Sequence, residues 1–370
     1  MGPFPHNAAP AVISDDNPAG TDGFAFVEFA HEDAGKLETL FTQMGYAPVA
    51  RHRGKAVTLW RQGGINYLVN AEPGSHAMRF VGEHGPCAPS MGWFTVDPER
   101  ALAHAVSKGA TEYAGADRAL DAPAIVGIGG SLLYFLKRPD AGESPFDADF
   151  EWLGERDPKP EGVGFSYIDH LTHNVFRGNM DTWWAFYRDI FGFTQIHFFD
   201  IAGKMTGLVS RAITSPCGKI RIPLNESTDD RSQIEEYLRK YRGEGIQHVA
   251  VGTDEIYDAT DRLADNGLKF MPGPPDVYYE QSFARVSGHD EPVERMKRHG
   301  ILIDGEGVVG GGSTKILLQI FSKTVIGPIF FEFIQRKGDD GFGEGNFRAL
   351  FESIEEDQIR RGVIKVNPAA

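Results

Sequence analysis

Four times along this chain a strand pattern is followed by an amphipathic helix pattern and then by further strands, and this repetition limits the fold more than any other feature. Residues 23–30 read as a strand, and 33–44 as a helix whose Leu37, Leu40, Phe41 and Met44 form one apolar stripe. Strand-like runs at 58–61 and 65–69 follow, giving a β-α-β-β-β unit. A second unit opens at 91–96, continues as a helix over 98–109 and closes with a strand at 131–136. After a polar stretch at 155–162, which reads as a linker, the order starts again. Here a strand carries His170, a helix spans 182–191 and ends at Gly192, and strands follow at 193–199, 205–209 and 219–224. The last unit has a strand through His248, a helix over 254–266 and strands at 315–321 and 329–335. An α+β fold of four βαβββ modules in two halves is expected, 21–154 and 163–370, preceded by a disordered tail over 1–20.

Within that frame Glu332 stands out. It lies in Pro328-Ile329-Phe330-Phe331-Glu332-Phe333-Ile334, a run that otherwise reads as a buried strand. An ionised carboxylate there is costly unless it is paired, protonated or bound to a metal. A structural salt bridge is one answer. Two other segments point to a different one: Tyr167-Ile168-Asp169-His170-Leu171-Thr172-His173-Asn174-Val175 and Gly245-Ile246-Gln247-His248-Val249-Ala250-Val251 each set histidine in a short, apolar, β-prone run. Two histidines and one carboxylate from separate strands make the facial triad of non-haem Fe(II) oxygenases. His170 and His173 are three residues apart, so on a strand they face opposite sides and only one can join it. Alternation leaves open which one faces in. The same parity puts Phe330, Glu332 and Ile334 on one face of their strand, and Leu317, Gln319 and Phe321 on one face of theirs. Aligning the halves sets Phe26 opposite His170, residues 90–92 opposite His248, and Tyr134 opposite Glu332. The first half lacks a matching ligand set and is expected to be a scaffold without metal.

Composition narrows the partners. A net charge of −15 and a pI near 5.3 argue against nucleic acid or an anionic membrane, both usually met by basic surface, and favour a small molecule. No run approaches the roughly 18 apolar residues of a membrane span, and the N-terminus lacks a charged stretch leading into an apolar one. Cys87 and Cys217 are the only cysteines, which excludes a disulfide framework and a thiolate zinc site; a reducing, cytoplasmic setting is expected. Gly310-Gly311-Gly312 is not followed by the Gly-Lys-Ser/Thr of a phosphate loop and reads as a turn. No Gly-x-Ser-x-Gly elbow occurs, which leaves hydrolase chemistry without support.

Six blocks carry a family likeness: 168–175; Ile222-Pro223-Leu224-Asn225-Glu226; Gly243-Glu244-Gly245-Ile246-Gln247-His248; Leu318-Gln319-Ile320-Phe321; 331–338, from Phe331 through Arg336 to Gly338; and Gly341-Phe342-Gly343-Glu344-Gly345-Asn346-Phe347. In this order they resemble the 4-hydroxyphenylpyruvate dioxygenases, enzymes of the vicinal oxygen chelate fold. The resemblance runs from about Gly23 to Gly362. It implies two open, barrel-like halves with outer helices, and Fe(II) held by His170, His248 and Glu332 in the second. His173 is then left as a packing residue or as one that supports the ligands from behind. It also implies Gln247 and Gln319 beside the reacting groups, and a substrate pocket of Ser210, Asn225, Gln233, Phe321, Phe330, Phe342 and Phe347. By charge pattern alone Gln233, inside 231–239, reads as exposed. A terminal helix with Phe347, Leu350, Phe351 and Ile354 at helical spacing is implied to gate the pocket.

The implied reaction takes 4-hydroxyphenylpyruvate and O2 to homogentisate and CO2 by oxidative decarboxylation, ring hydroxylation and side-chain migration. The 2-oxo acid is part of the substrate, so no separate 2-oxoglutarate is expected. A homo-oligomer is implied as well. Alternatives are a hydroxymandelate synthase, which attacks the benzylic carbon of the same substrate, an extradiol dioxygenase acting on catechols, and a non-catalytic binding module. Ser210, Pro223 and Phe347 match the ring-hydroxylating branch.

Overall fold

The computed structural model describes residues 8–202, 206–309 and 313–343, together with 345, 346, 348, 355, 358, 359, 361 and 362. The repeated pattern becomes two curled eight-stranded sheets. The first contains β1 (Thr21–Ala30), β2 (Ala47–His52), β3 (Val57–Gln62), β4 (Ile65–Asn70), β5 (Cys87–Thr95), β6 (Ala124–Val126), β7 (Leu132–Lys137) and β8 (Phe150–Trp152), in the order β6-β7-β5-β1-β4-β3-β2-β8. The second contains β9 (Phe165–Val175), β10 (Thr194–Ala202), β11 (Gly207–Thr214), β12 (Arg221–Ser227), β13 (Gly245–Thr253), β14 (Leu302–Val309), β15 (Ser313–Phe321) and β16 (Phe330–Lys337). Its order is β10-β11-β12-β9-β13-β16-β15-β14. The helices are α1 (Ala34–Gln43), α2 (His76–His84), α3 (Pro98–Ser107), α4 (Met180–Phe191), α5 (Gln233–Tyr241) and α6 (Ile256–Asp265), with short ones at Asp276–Glu280, Ser282–Arg285 and Val293–His299.

Local chemistry sets the helix ends. Asp33, Ser75 and Asp97 each accept a backbone N–H in the first turn of α1, α2 and α3, and Gly192 ends α4 in the left-handed conformation at φ 73°. The second module departs from the expected pattern: only β6 and β7 follow α3 beside β5, and β8 crosses to the far edge to pair with β2. The strand that would lie outside β6, as β14 lies outside β15, is reduced to a single bridge between Glu112 and Ile125. Helices α2 and α5 went unread in the pattern, because α2 contains Gly82 and α5 is crowded with charge around Ile234, Tyr237, Leu238 and Tyr241.

Residues 14–20 are a correction to the expected tail. Asn17 is buried, and its side chain bonds the Thr21 N–H at 2.9 Å and the Thr21 carbonyl at 3.1 Å, while Ala19 is fully buried. The polar composition there serves a turn that enters β1. Residues 1–7, Gly310-Gly311-Gly312, and Phe347, Leu350, Phe351 and Ile354 of the expected terminal helix lie outside the described residues.

One core joins the halves, with Phe29 and Tyr67 meeting Phe331, and Trp93 meeting Phe191 and Phe193. The insides of the two sheets differ. In the first, Phe26, Leu59, Leu68, Leu132, Tyr134 and Phe150 form a separate apolar filling. In the second, the comparable apolar cluster is reduced to Leu302, Phe321 and Phe330 with their neighbours, and buried polar side chains take the remaining space.

Candidate metal centre

Strand register assembles the trio. Ala250 of β13 pairs with His170 of β9 on one side and Glu332 of β16 on the other, so these three form one row across the sheet. His248 precedes Ala250 by two residues and shares its face. The small Ala250 leaves the space over which the flanking side chains reach. The matching row of the first sheet is Phe26, Gly92 and Tyr134; the alignment of the halves sets Phe26 and Tyr134 there and puts 90–92 opposite His248, whereas Gly92 takes the place of Ala250. There the Phe26 ring lies against Gly92 so closely that a Cβ at that position would fall 2.2 Å from the ring. Phe26 and Tyr134 take in one half the places of His170 and Glu332 in the other, and Ser90 takes that of His248.

Among the described residues, His170, His248 and Glu332 are the one group of His, Cys, Asp or Glu side chains able to share an ion. His170 Nε2 and His248 Nε2 are 3.3 Å apart, and Glu332 Oε2 lies 3.1 and 3.3 Å from them. Bonds of about 2.1 Å at angles of roughly 90–110° would put ligand atoms about 3.0–3.4 Å apart, so the residues fit a metal ion.

Hydrogen bonds at the far side of each ligand explain the convergence. His170 Nδ1–H donates to Asp169 Oδ1 at 2.9 Å, and His248 Nδ1–H to Gln247 Oε1 at 3.0 Å. Both assignments leave a bare Nε2 facing inward. Gln319 Nε2–H donates to Glu332 Oε1 at 2.7 Å, which leaves Oε2 for the centre, while Asn346 holds the other end of Gln319. Two ring lone pairs and a carboxylate oxygen therefore meet at one point and require a cation. A proton on His170 is the alternative to a metal. Burial disfavours that proton, but Glu332 and Asp169 outweigh burial and raise the His170 pKa to about 9. Burial likewise opposes the Glu332 charge, yet His170 and His248 hold its pKa at about 2. At His248 burial prevails over Glu332 and the pKa is lowered. A metal ion at this point would take the place of that proton.

The description "Hydroxyphenylpyruvate dioxygenase, HPPD, N-terminal" belongs to a family model that matches residues 15–151, and "Glyoxalase/Bleomycin resistance protein/Dioxygenase superfamily" to one that matches 167–292. A 4-hydroxyphenylpyruvate dioxygenase of Pseudomonas aeruginosa is 54% identical over 362 residues, covering 96% of this chain and 99% of the relative. The chain belongs to the 4-hydroxyphenylpyruvate dioxygenase family. A second relative of this dioxygenase-family chain, named hemolysin VllY in Vibrio vulnificus, is 55% identical and covers 94% of this chain and 98% of that one. A solved 4-hydroxymandelate synthase variant from Streptomyces coelicolor shares the fold at a TM-score of 0.76 and 23% identity, over 91% of this chain and 99% of that one.

In this family member the expected pocket residues separate into two groups. Ser210, Asn225, Gln319, Phe321 and Phe342 line a cavity of about 40 Å³ together with the three ligands. Thr172, Phe199 and Pro223 complete it. Thr172 went unread, although it shares the parity of His170; its Oγ1 lies 2.9 Å from His248 Nε2. Asn225 is buried and its Oδ1 has no protein partner among the described residues. Gln233, Gln247 and Phe330 instead line an adjoining cavity of about 340 Å³ with Tyr237, Lys240 and Lys323. Gln233 is half-buried at the start of α5 rather than exposed, because it shares with the buried Tyr237 the helix face that borders this cavity. Phe321 and Phe330 meet edge to face at 6.2 Å where the two groups adjoin, and Phe330 stacks on His248 at 4.7 Å.

His173 faces away from the ligands, toward Tyr187 of α4. It is fully buried with Nε2 unpartnered among the described residues; burial, then His248, lowers its pKa to about 3. The unfolded chain, with an ordinary pKa near 6.5, takes up the proton first, so stability is complete above about pH 6.5 and declines as pH falls toward 3. Acidification from pH 7 to 5 is expected to cost about 2 kcal/mol at this residue alone. Urea unfolding of His173→Phe across that range should lack this part of the slope; equal slopes would rule out a buried neutral His173.

Proposed function

We propose that the chain converts 4-hydroxyphenylpyruvate and O2 to homogentisate and CO2, using Fe(II) held by His170, His248 and Glu332. The observation that carries this reading is the meeting of three cation-seeking atoms on one row of strands, in a chain similar over almost its whole length to dioxygenases of that name. Fe(II) in such a site supplies a chelation point for the keto and carboxylate oxygens of the 2-oxo acid and a place for dioxygen. The protein's part is to keep the site dry and the groups oriented.

Asp169, Gln247 and Gln319 tie down the outer atoms of the ligands, so that Nε2, Nε2 and Oε2 stay turned inward. Phe199, Phe321 and Phe342 give the aromatic ring apolar walls. Asn225 Oδ1 suits a donor on the ligand, such as the phenol, since leaving it unpaired costs about 1–3 kcal/mol. The cavity at His170, His248 and Glu332 adjoins the larger one, which Gln233, Gln247 and Phe330 line. A cytoplasmic setting and a homo-oligomer belong to the same proposal; among the described residues no helix is long and apolar enough to cross a membrane.

Protein supplied with Fe(II) and 4-hydroxyphenylpyruvate alone is expected to consume one O2 and release one CO2 for each homogentisate formed, measured by oxygen electrode, trapped CO2 and NMR. An absolute requirement for added 2-oxoglutarate would sink the proposal. Recovery of 4-hydroxymandelate would assign the benzylic reaction instead.

A further inference from the structure

The residues just before the two histidine ligands have side chains where a regular strand would not put them. Neighbours along a strand point to opposite faces, yet Asp169 bonds the ring of His170 and Gln247 the ring of His248. The register between β9 and β13 gives the reason. Ala250 faces His170 and Val251 faces Ile168, so Asp169 is an extra residue on β9. Ile246 faces His173 and His248 faces Thr172, so Gln247 is an extra residue on β13. Each is the unpaired member of a β-bulge, a local bend that re-aims a side chain.

The first half provides an internal comparison. Phe24 faces Trp93 and Phe26 faces Gly92, so β1 carries Ala25 as an extra residue in the place of Asp169. Glu28 faces Ser90 and Ala30 faces Cys87, so β5 also has an irregularity, with Pro89 in the place of Gln247. The bulges thus belong to the repeated module. What distinguishes the ligand-bearing half is that they carry an acid and an amide, where the other half has Ala and Pro, with no polar side-chain atom. The two are also unequal. Asp169 is fully buried and receives Arg336 Nε–H at Oδ2 and Nη2–H at Oδ1, 2.7 and 2.9 Å, so that Oδ1 serves both the guanidinium and His170.

We propose that Asp169, seated on its bulge and clamped by Arg336, is a positioning residue for the metal: it fixes the tautomer and aim of His170 and, being anionic, makes that imidazole a stronger donor than His248, whose partner is the neutral Gln247. This rests on the Fe(II) reading above. Partners of this kind raise ligand basicity, and their loss weakens metal binding by about 10–100-fold.

The test uses the whole chain, stripped of metal and titrated anaerobically with Fe(II) against a colorimetric chelator, together with the Fe(III)/Fe(II) midpoint potential of the bound iron. Asp169→Asn is expected to weaken Fe(II) binding by about 10–100-fold and raise the potential, because a neutral partner supports the ferric charge less. Gln247→Glu is expected to lower the potential. A merely structural role would not move the two in opposite directions. If Asp169→Asn does not fold, with Arg336 deprived of its carboxylate partner, the double variant Asp169→Asn, Arg336→Gln takes its place, with the same loss of Fe(II) affinity expected and affinity alone as its readout, because the cation and the anion removed act on the potential in opposite directions. Unmoved affinity and potential in a folded variant, or shifts of the same sign at both positions, overturn the inference alone. Failure of the unaltered protein to bind one Fe(II) per chain overturns the iron reading and this inference with it.

Discussion

Exchanging Glu332 for Gln is expected to leave a folded protein that has lost tight iron and turnover. The strand, the row with Ala250 and the side-chain size are all retained, so circular dichroism should not change. The chemistry of the tip changes completely. Glu332 presents two acceptor oxygens, one receiving Gln319 Nε2–H and the other facing both imidazoles. A Gln has one acceptor and one donor end. With its NH2 turned inward it puts hydrogen where the ion belongs, and with its oxygen inward it sets NH2 against the NH2 of Gln319. The centre also loses its one anionic ligand. Loss of an outer partner alone costs about 10–100-fold in metal affinity, so removal of this ligand is expected to exceed the top of that range. Anaerobic Fe(II) titration and oxygen uptake with 4-hydroxyphenylpyruvate measure both effects. Turnover near that of the unaltered protein would mean that another carboxylate holds the metal.

The trio was legible because burial of a lone carboxylate is so costly that Glu332 in an apolar strand demanded a cation, and because strand parity restricted which histidine could share a face with it. The places of Phe26 and Tyr134 were legible for the related reason that repeats of one module keep their register. The bulges were not. A bulge is a mismatch between two strands distant in sequence, and nothing within 167–175 or 245–251 records which residue is left over. Parity in fact assigns Asp169 to the face opposite His170, so the rule that separated His170 from His173 also hid the partner of His170. Gln233 was hidden differently: charge in 231–239 reads as exposure, whereas Gln233 shares with the buried Tyr237 the face of α5 that borders the larger cavity.

His170→Ala and His173→Ala should behave as opposites, although the two residues lie three positions apart on one strand and both are buried. His170→Ala removes an inward Nε2 and releases Asp169 from its hydrogen bond, leaving the Asp169–Arg336 pair to hold the fold. Near-complete loss of iron and oxygen uptake is expected, together with some loss of stability because the buried Glu332 also loses its nearest cationic partner. His173→Ala leaves every ligand and every outer partner in place. Its cost falls on packing, where a void opens against Tyr187 beneath α4, partly offset because the unpartnered Nε2 is no longer buried. The net destabilisation is expected to be about 1–3 kcal/mol with most turnover retained. Side-by-side oxygen uptake and urea unfolding separate the two kinds of loss. The reverse ranking, with His173 required for iron and His170 dispensable, would mean that β9 presents its other face to the centre, and the register that joins His170, Ala250 and Glu332 would have to be shifted by one residue.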